Sequence, residues 1–180
     1  VGAEISIPEA AGPSRDRGTV NTVLFSSRSH QWETPKWLFD LLDAEFNFER
    51  DVCATRLNAK CSEFFSPEVD GLKQHWQGVC WMNPPYGREI GRWVEKAYRS
   101  SLSGATVVAL LPARVETSWW FNFVLKAQEI RFVKGRLRFG KAQSSAPFPS
   151  AIVIFTPGKP GKPRVRFVDL AQVQRTLFGS

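Results

Sequence analysis

From residue 35 onward, apolar positions recur along this chain in two alternating periods. Leu38, Leu41, Leu42 and Phe46 fall at helical spacing, so residues 35–46 are expected to form a helix with one buried stripe. Thr34 is the expected N-cap of that helix and Pro35 its first residue. Ile90, Trp93, Val94, Ala97 and Tyr98 repeat at i, i+3, i+4, i+7 and i+8, which predicts a second amphipathic helix over about 88–101, ending near Gly104. A third helix is expected from Thr117 or Ser118 to about Lys126, a brief helical turn over 71–77, and a final short helix over about 169–177. Between these lie short apolar runs at about 48–53, 62–65, 79–82, 105–111, 129–133, 151–155 and 164–168, each read as a strand. The run at 105–111 is continuously apolar and rich in β-branched residues, as a central parallel strand requires. Gly135 and Gly140 bound a stretch read as a hairpin arm, and the last two strands are joined by a loop rich in Pro, Gly and Lys. The pattern predicts an α/β fold, a doubly wound and mostly parallel sheet with an antiparallel C-terminal hairpin. Residues 1–28 show no steady period and read as a flexible arm before one domain over 29–180, without a separate recognition domain.

The strand at 79–82 ends abruptly. Asn83, Pro84, Pro85 and Tyr86 follow it, and proline can neither donate to a sheet ladder nor leave φ free, so the strand cannot continue. The Asn83 amide oxygen and the Pro84 carbonyl are two acceptors that can share one amino group, with the Tyr86 ring to stack on the base that carries it. The plainer reading is a strand-to-loop exit with a turn-favouring Asn.

The tetrapeptide Asn83-Pro84-Pro85-Tyr86 matches the catalytic motif of amino-methyltransferases that use S-adenosylmethionine. Around it stand Trp32-Glu33-Thr34-Pro35, Asp51-Val52-Cys53-Ala54, Asn58-Ala59-Lys60-Cys61, Leu110-Leu111-Pro112-Ala113-Arg114, Gly135-Arg136-Leu137-Arg138-Phe139-Gly140 and Ala146-Pro147-Phe148-Pro149-Ser150-Ala151. In this order, over about residues 29–157, the chain resembles the compact phage-type DNA N6-adenine methyltransferases (Dam-like). The resemblance implies a Rossmann-like methyltransferase sheet, S-adenosylmethionine as cofactor, and direct transfer to adenine N6 at Asn83, Pro84, Pro85 and Tyr86. It further implies Asp51 against the cofactor's ammonium, with Cys53 beside it and Thr34-Pro35 closing over the methionine end. Asp70 is the candidate for the adenosine end, although Asp70-Gly71 is also a strong turn signal. No Gly follows Asp51 until Gly71, so the usual close backbone approach to a cofactor must be made differently. Reaching this corner requires the base to leave the duplex, and Phe148 is a candidate second wall for it, or else a core aromatic.

Charge adds a partner. Positions 126, 131, 134, 136, 138, 141, 159, 162, 164 and 166 are Lys or Arg, against the acid Glu129. That surplus of nine exceeds the +7 of the whole chain. A solvated β face could look the same, but a one-signed cluster interleaved with Phe132, Phe139 and Phe148 suits a phosphate backbone. Arg136, Arg138 and Lys141 are the candidate DNA contacts. With 180 residues, 43% of them hydrophobic, seven Trp and fourteen Phe, the chain can bury a full core. No apolar run reaches 18 residues and the first residues resemble no signal peptide, which predicts a soluble protein of the bacterial or phage-infected cytoplasm. Three cysteines without framework or C-x₂₋₄-C spacing predict neither a disulfide scaffold nor a metal site. A cytosine-C5 mechanism would need a Pro-Cys nucleophile, which is absent from the sequence. N6-adenine RNA or protein-glutamine methylation and a non-catalytic nucleic-acid-binding module are the alternatives.

Overall fold

The computed structural model describes residues 32–140, 144–159, 161–170 and 172–173. The arm over 1–28, Lys141 and most of the expected helix at 169–177 lie outside the described residues. Three helices are seen among the described ones, α1 (Lys36–Phe46), α2 (Ile90–Leu102) and α3 (Ser118–Asn122), the last continued by a 3₁₀ turn, Val124–Lys126. The strands are β1 (Arg50–Asp51), β2 (Glu63–Phe64), β3 (Val79–Met82), β4 (Thr106–Pro112), β5 (Glu129–Val133), β6 (Ser150–Phe155) and β7 (Arg164–Val168). They form one mixed sheet in the order β2-β1-β3-β4-β6-β5-β7. β6 runs antiparallel to both its neighbours, and the other four pairings are parallel.

Because side chains alternate across a strand, the sheet builds two cores from one set of strands. Val107, Ala109 and Leu111 of β4 point to the layer made by α2 and α3, where Ile90, Trp93, Val94, Ala97 and Trp120 pack. Val108 and Leu110 point the other way, to Leu38, Phe39 and Leu42 of α1. Burial on both faces explains why β4 reads as a continuous apolar run.

The C-terminal hairpin does not form. β6 lies between β4 and β5, and β7 pairs in parallel with β5 at the sheet edge. Burial gives the reason: all six residues of β6 are buried, so it takes a place with neighbours on both sides, whereas β7 is largely exposed and takes the edge. The stretch 136–139 is not a hairpin arm either. It is irregular, with Leu137 and Phe139 buried and Arg136 and Arg138 exposed, and it is held by Ala146 N–H to the Leu137 carbonyl and Gly140 N–H to the Glu33 carbonyl. Residues 71–77 form no helix: Lys73 and Gln74 close hydrogen-bonded turns onto Asp70 and Gly71, and 75–77 are irregular. Thr34 is not a cap. Helix α1 starts from Pro35, whose carbonyl accepts from Leu38 and Phe39, and no side chain caps it.

Candidate active site

The corner sits where three parallel strands end together. β1 lies beside β3 with Asp51 opposite Trp81, so Asp51 at the end of β1 and Asn83 just past the end of β3, 32 positions apart in the chain, become neighbours. Asp51, Asn83, Glu33, Thr34, Cys53, Asn58 and Lys60 line one small polar cleft. Next to it opens a cavity of about 570 Å³, walled by Trp32, Cys53, Thr55, Asn58, the segment 65–73, Asn83, Pro84, Pro85, Glu89, Arg92 and Trp93.

Asn83 is fixed by two bonds. Its Nδ2 donates to the Trp32 carbonyl at 2.8 Å and to Thr34 Oγ1 at 2.9 Å. A carbonyl can only accept, so these contacts orient the amide and leave Oδ1 as its other end. Oδ1 is buried and has no hydrogen-bond partner among the described residues. Burying an acceptor unpaired costs about 1–3 kcal/mol, and sites kept at that cost call for a functional explanation. The Thr34 hydroxyl, expected to cap α1, is 2% exposed and serves Asn83 instead. Beyond Asn83, the Pro85 carbonyl accepts from Gly87 N–H, while the Pro84 carbonyl takes part in no hydrogen bond among the described residues.

Asp51 is 3% exposed. Its Oδ1 accepts from Cys53 N–H at 3.3 Å and its Oδ2 from Lys60 N–H at 3.1 Å. No cation lies within salt-bridge distance of it among the described residues, because the Lys60 ammonium is spent on Glu33 at 3.0 Å. Burial pushes the Asp51 carboxyl up to about 6, against the pull of those two N–H groups and of the nearby Lys60 charge. Cys53 stands beside it, its thiol pushed well up by burial and by the Asp51 carboxylate against a backbone hydrogen bond from Asn83, so it stays a neutral thiol.

Asp70 has two structural positions. It lines the cavity, and it also shapes a turn, with φ of 53°, Oδ1 accepting from Leu72 N–H and a 3.3 Å ion pair to Lys73. Gly71 is required for a close approach within the protein itself. A Cβ there would sit 2.2 Å from the Val52 carbonyl, so the turn packs directly on the chain leaving β1.

Tyr86 is placed differently from a free stacking surface. β3 stops at the prolines, and the Tyr86 hydroxyl takes the Leu110 carbonyl of the neighbouring strand β4 at 3.0 Å. The ring packs in an aromatic cluster, near-parallel to Trp32 (centroids 6.4 Å, 18°) and edge-on to Phe139 and Phe148 (6.2 and 5.4 Å). Phe148 therefore borders Tyr86 and also belongs to the wider α1-side core.

The basic segment divides. Arg131 pairs with Glu45 and Glu129, Arg164 and Arg166 also approach Glu129, and Lys134 pairs with Asp169. Arg136 and Arg138 are exposed and, among the described residues, make no ion pair. Their segment adjoins the corner, since Phe139 packs on Tyr86 and Trp32. Among the described residues no three His, Cys, Asp or Glu come together as a metal site, and no helix is long and apolar enough to cross a membrane.

Sequence reasoning passed over Trp32, Glu33, Asn58 and Lys60 as individuals, although all four lie in the quoted motifs. Trp32 and Lys60 act through backbone atoms, the Trp32 carbonyl on Asn83 and the Lys60 N–H on Asp51, which residue type does not announce. Asn58 offered a signal, a short polar side chain three positions after Thr55. Its Oδ1 accepts from Thr55 N–H and Oγ1, pinning the cavity loop.

Residues 21–175 match the family model described as DNA N-6-adenine-methyltransferase (Dam). The DNA N-6-adenine-methyltransferase of Haemophilus phage HP1 (strain HP1c1) is 33% identical over 153 residues, covering 79% of this chain and 88% of the relative.

Proposed function

Since the chain belongs to the DNA N-6-adenine-methyltransferase (Dam) family and is an adenine-specific DNA methyltransferase, we propose that it works with S-adenosylmethionine on a base flipped out of the duplex, by direct transfer at the Asn83 corner. The observation that carries this reading is the Asn83 amide, pinned at Nδ2 so that its buried Oδ1, unpartnered among the described residues, is left to accept, with the Pro84 carbonyl next along the chain and likewise unbonded there. Two acceptors so placed match the two N–H bonds of an exocyclic amine.

Two features fit S-adenosylmethionine. The cavity of about 570 Å³ falls in the range of cofactor and small-ligand sites, roughly 300–1,000 Å³. Asp51 is a buried carboxylate with no cation in salt-bridge distance among the described residues, and the ammonium of the methionine moiety would supply one. Thr34, which precedes Pro35, and Cys53 line the polar cleft with Asp51, and Asp70 lines the larger cavity, where the adenosine would lie. When bound, S-adenosylmethionine supplies a sulfonium methyl group for direct transfer. In this reading the sheet is a Rossmann-like methyltransferase sheet, with ligands beyond the carboxyl ends of its parallel strands.

The protein's own groups supply positioning and electrostatics. An aromatic amine is a weak nucleophile because its lone pair is conjugated into the ring. Accepting both N–H bonds, at Asn83 Oδ1 and the Pro84 carbonyl, draws the nitrogen toward a pyramidal shape and frees that pair. The same oxygens stabilise the positive charge that builds on nitrogen during transfer, and fixed geometry supplies much of the remainder. Tyr86 gives the base a face and Phe148 an edge. Arg136 and Arg138, together with Lys141, hold phosphates, and recognition is made by loops near 134–148 rather than by a separate domain.

Incubation with tritiated S-adenosylmethionine and unmethylated DNA, RNA or protein, followed by digestion to nucleosides or amino acids, tests this. Label in N6-methyldeoxyadenosine is expected. Label confined to RNA or to glutamine would overturn the assignment of substrate.

A further inference from the structure

The proposed base slot is closed by one of the protein's own rings. A base stacked on Tyr86 needs one open face of that ring, and the Trp32 indole lies near-parallel to it within stacking range, at 6.4 Å and 18°. Trp32 also meets Phe148 edge-on at 4.7 Å and Phe139 at 5.5 Å, while Phe139 and Phe148 are 6.0 Å apart. Four rings in mutual contact leave no room for a fifth, so one of them must yield.

The surroundings single out which one. Tyr86 is tethered through its hydroxyl to the Leu110 carbonyl. Phe139 is 1% exposed, in the α1-side core. Phe148 is held by Pro147 and Pro149 on either side, and the Pro149 carbonyl is bonded to Ala113 N–H. Trp32 alone of the four borders the 570 Å³ cavity, into which a side chain can turn. Its backbone, in contrast, is fastened, because its carbonyl holds Asn83 Nδ2 at 2.8 Å. The indole can therefore rotate while the Asn83 amide keeps its orientation.

We infer that Trp32 is a gate for the target base: its indole covers Tyr86 in the DNA-free protein and rotates away when the adenine arrives, exchanging one flat ring for another. This rests on the reading of Tyr86 as the stacking surface. The exchange also selects for substrate class. A planar nucleobase recovers the ring contacts that Trp32 gives up, whereas an amine on an aliphatic chain does not, so the closed slot favours nucleobases over protein side chains.

The test uses the full chain and a duplex carrying 2-aminopurine at an adenine that sequencing shows to be methylated. Its emission rises when the base leaves the stack. Trp32→Ala should lower the protein concentration for half-maximal emission about tenfold, with Trp32→Phe between it and wild type. Tyr86→Ala should abolish the rise. Loss of emission in Trp32→Ala would overturn the gate, since it would make Trp32 a platform for the base. Intact emission in Tyr86→Ala would overturn both the gate and the stacking role of Tyr86, while methylation of DNA itself would still stand. Should Trp32→Ala fail to fold, 5-fluorotryptophan labelling decides. Of the seven tryptophan signals, that of Trp32 is identified by its absence in Trp32→Phe. It should move on adding the duplex and not on adding S-adenosylhomocysteine alone. A signal that stays in place while the aminopurine is bright would refute the gate.

Discussion

On the β1 side of the corner, Asp51, Thr34 and Asn83 are buried or half-buried, and their hydrogen bonds run to backbone atoms or to one another. On the β5 side, Arg136 and Arg138 stand in solvent with no ion pair among the described residues, on an irregular segment anchored only by its alternate apolar positions. The first region is arranged so that little can move without breaking a buried bond. The second presents charge at almost no structural cost, since exposed charges contribute little to stability. Chemistry calls for tenths of an ångström, and phosphate attraction tolerates several. A single chain thus meets both demands by spending burial on one flank and leaving the other wet.

Substitutions should separate the two flanks sharply. Asn83→Ala should lower kcat at least about 100-fold, the scale of losing one oriented group at a transition state. Cofactor affinity should stay within a few-fold, and a variant keeping more than about a tenth of the wild-type rate would contradict the role given to Oδ1. Asp51→Ala should weaken S-adenosylmethionine binding by about 10- to 100-fold, read by calorimetry, the scale of a charge-assisted hydrogen bond. The carboxylate form must bind, so affinity in wild type should be full above about pH 6 and fall as pH drops through that value. In the ligand-free protein the sign is opposite. A raised carboxyl pKa means that the fold favours the protonated acid, so Asp51 contributes stability at low pH that is lost as pH rises from the unfolded value of 3.8 through about 6.

Smaller effects test the borders of the comparison. Thr34→Val removes one of two acceptors from Asn83 Nδ2 and should lower kcat about tenfold with KM little changed, while Thr34→Ser restores it. A fall in cofactor affinity with kcat unchanged would mean that the Thr34 hydroxyl acts at the methionine end and not through Asn83. Neutralising Arg136 and Arg138 together should weaken DNA binding at every sequence alike and flatten the slope of log K against log salt by about two. The melting temperature should hardly move. An unchanged slope would shift the phosphate surface to Arg88 and Arg92 beside the corner.

Much of this was legible before any coordinates. β3 falls at its expected bounds because two prolines end it, and α1 and α2 lie within two residues of theirs because their apolar residues keep helical spacing. The meeting of Asp51 and Asn83 followed from strand ends in a parallel sheet. Strand order at the C-terminal side did not follow, because a fully buried strand such as β6 carries no alternation to reveal its neighbours or direction. Thr34 was misread since a Thr before Pro-Lys has the form of a cap, and only the fold brings in the amide 49 positions away that claims its hydroxyl. Arg131, Lys134, Arg164 and Arg166 looked free in the sequence because their carboxylate partners include Glu45, 86 positions from Arg131, and Asp169, 35 from Lys134. The 136–139 stretch was rightly read as alternating but wrongly as paired, since alternation records burial and says nothing of ladder bonds.

The insertion of β6 between β4 and β5 also sets an order of assembly. β5 leaves the ribosome before β6, yet the sheet holds no β4–β5 ladder, so β5 cannot dock on β4 until the chain has run on to residue 155. Until then β4, buried at every residue but its first, and β5 each present an unpaired edge. The centre of the sheet is therefore closed by one of its last strands, across a connection from Pro112 to Ser150, which makes this step non-local and slow. A nascent or truncated chain ending before Pro149 would carry the apolar strand β4 as a bare edge, prone to self-association and without the bond from Ala113 N–H to the Pro149 carbonyl.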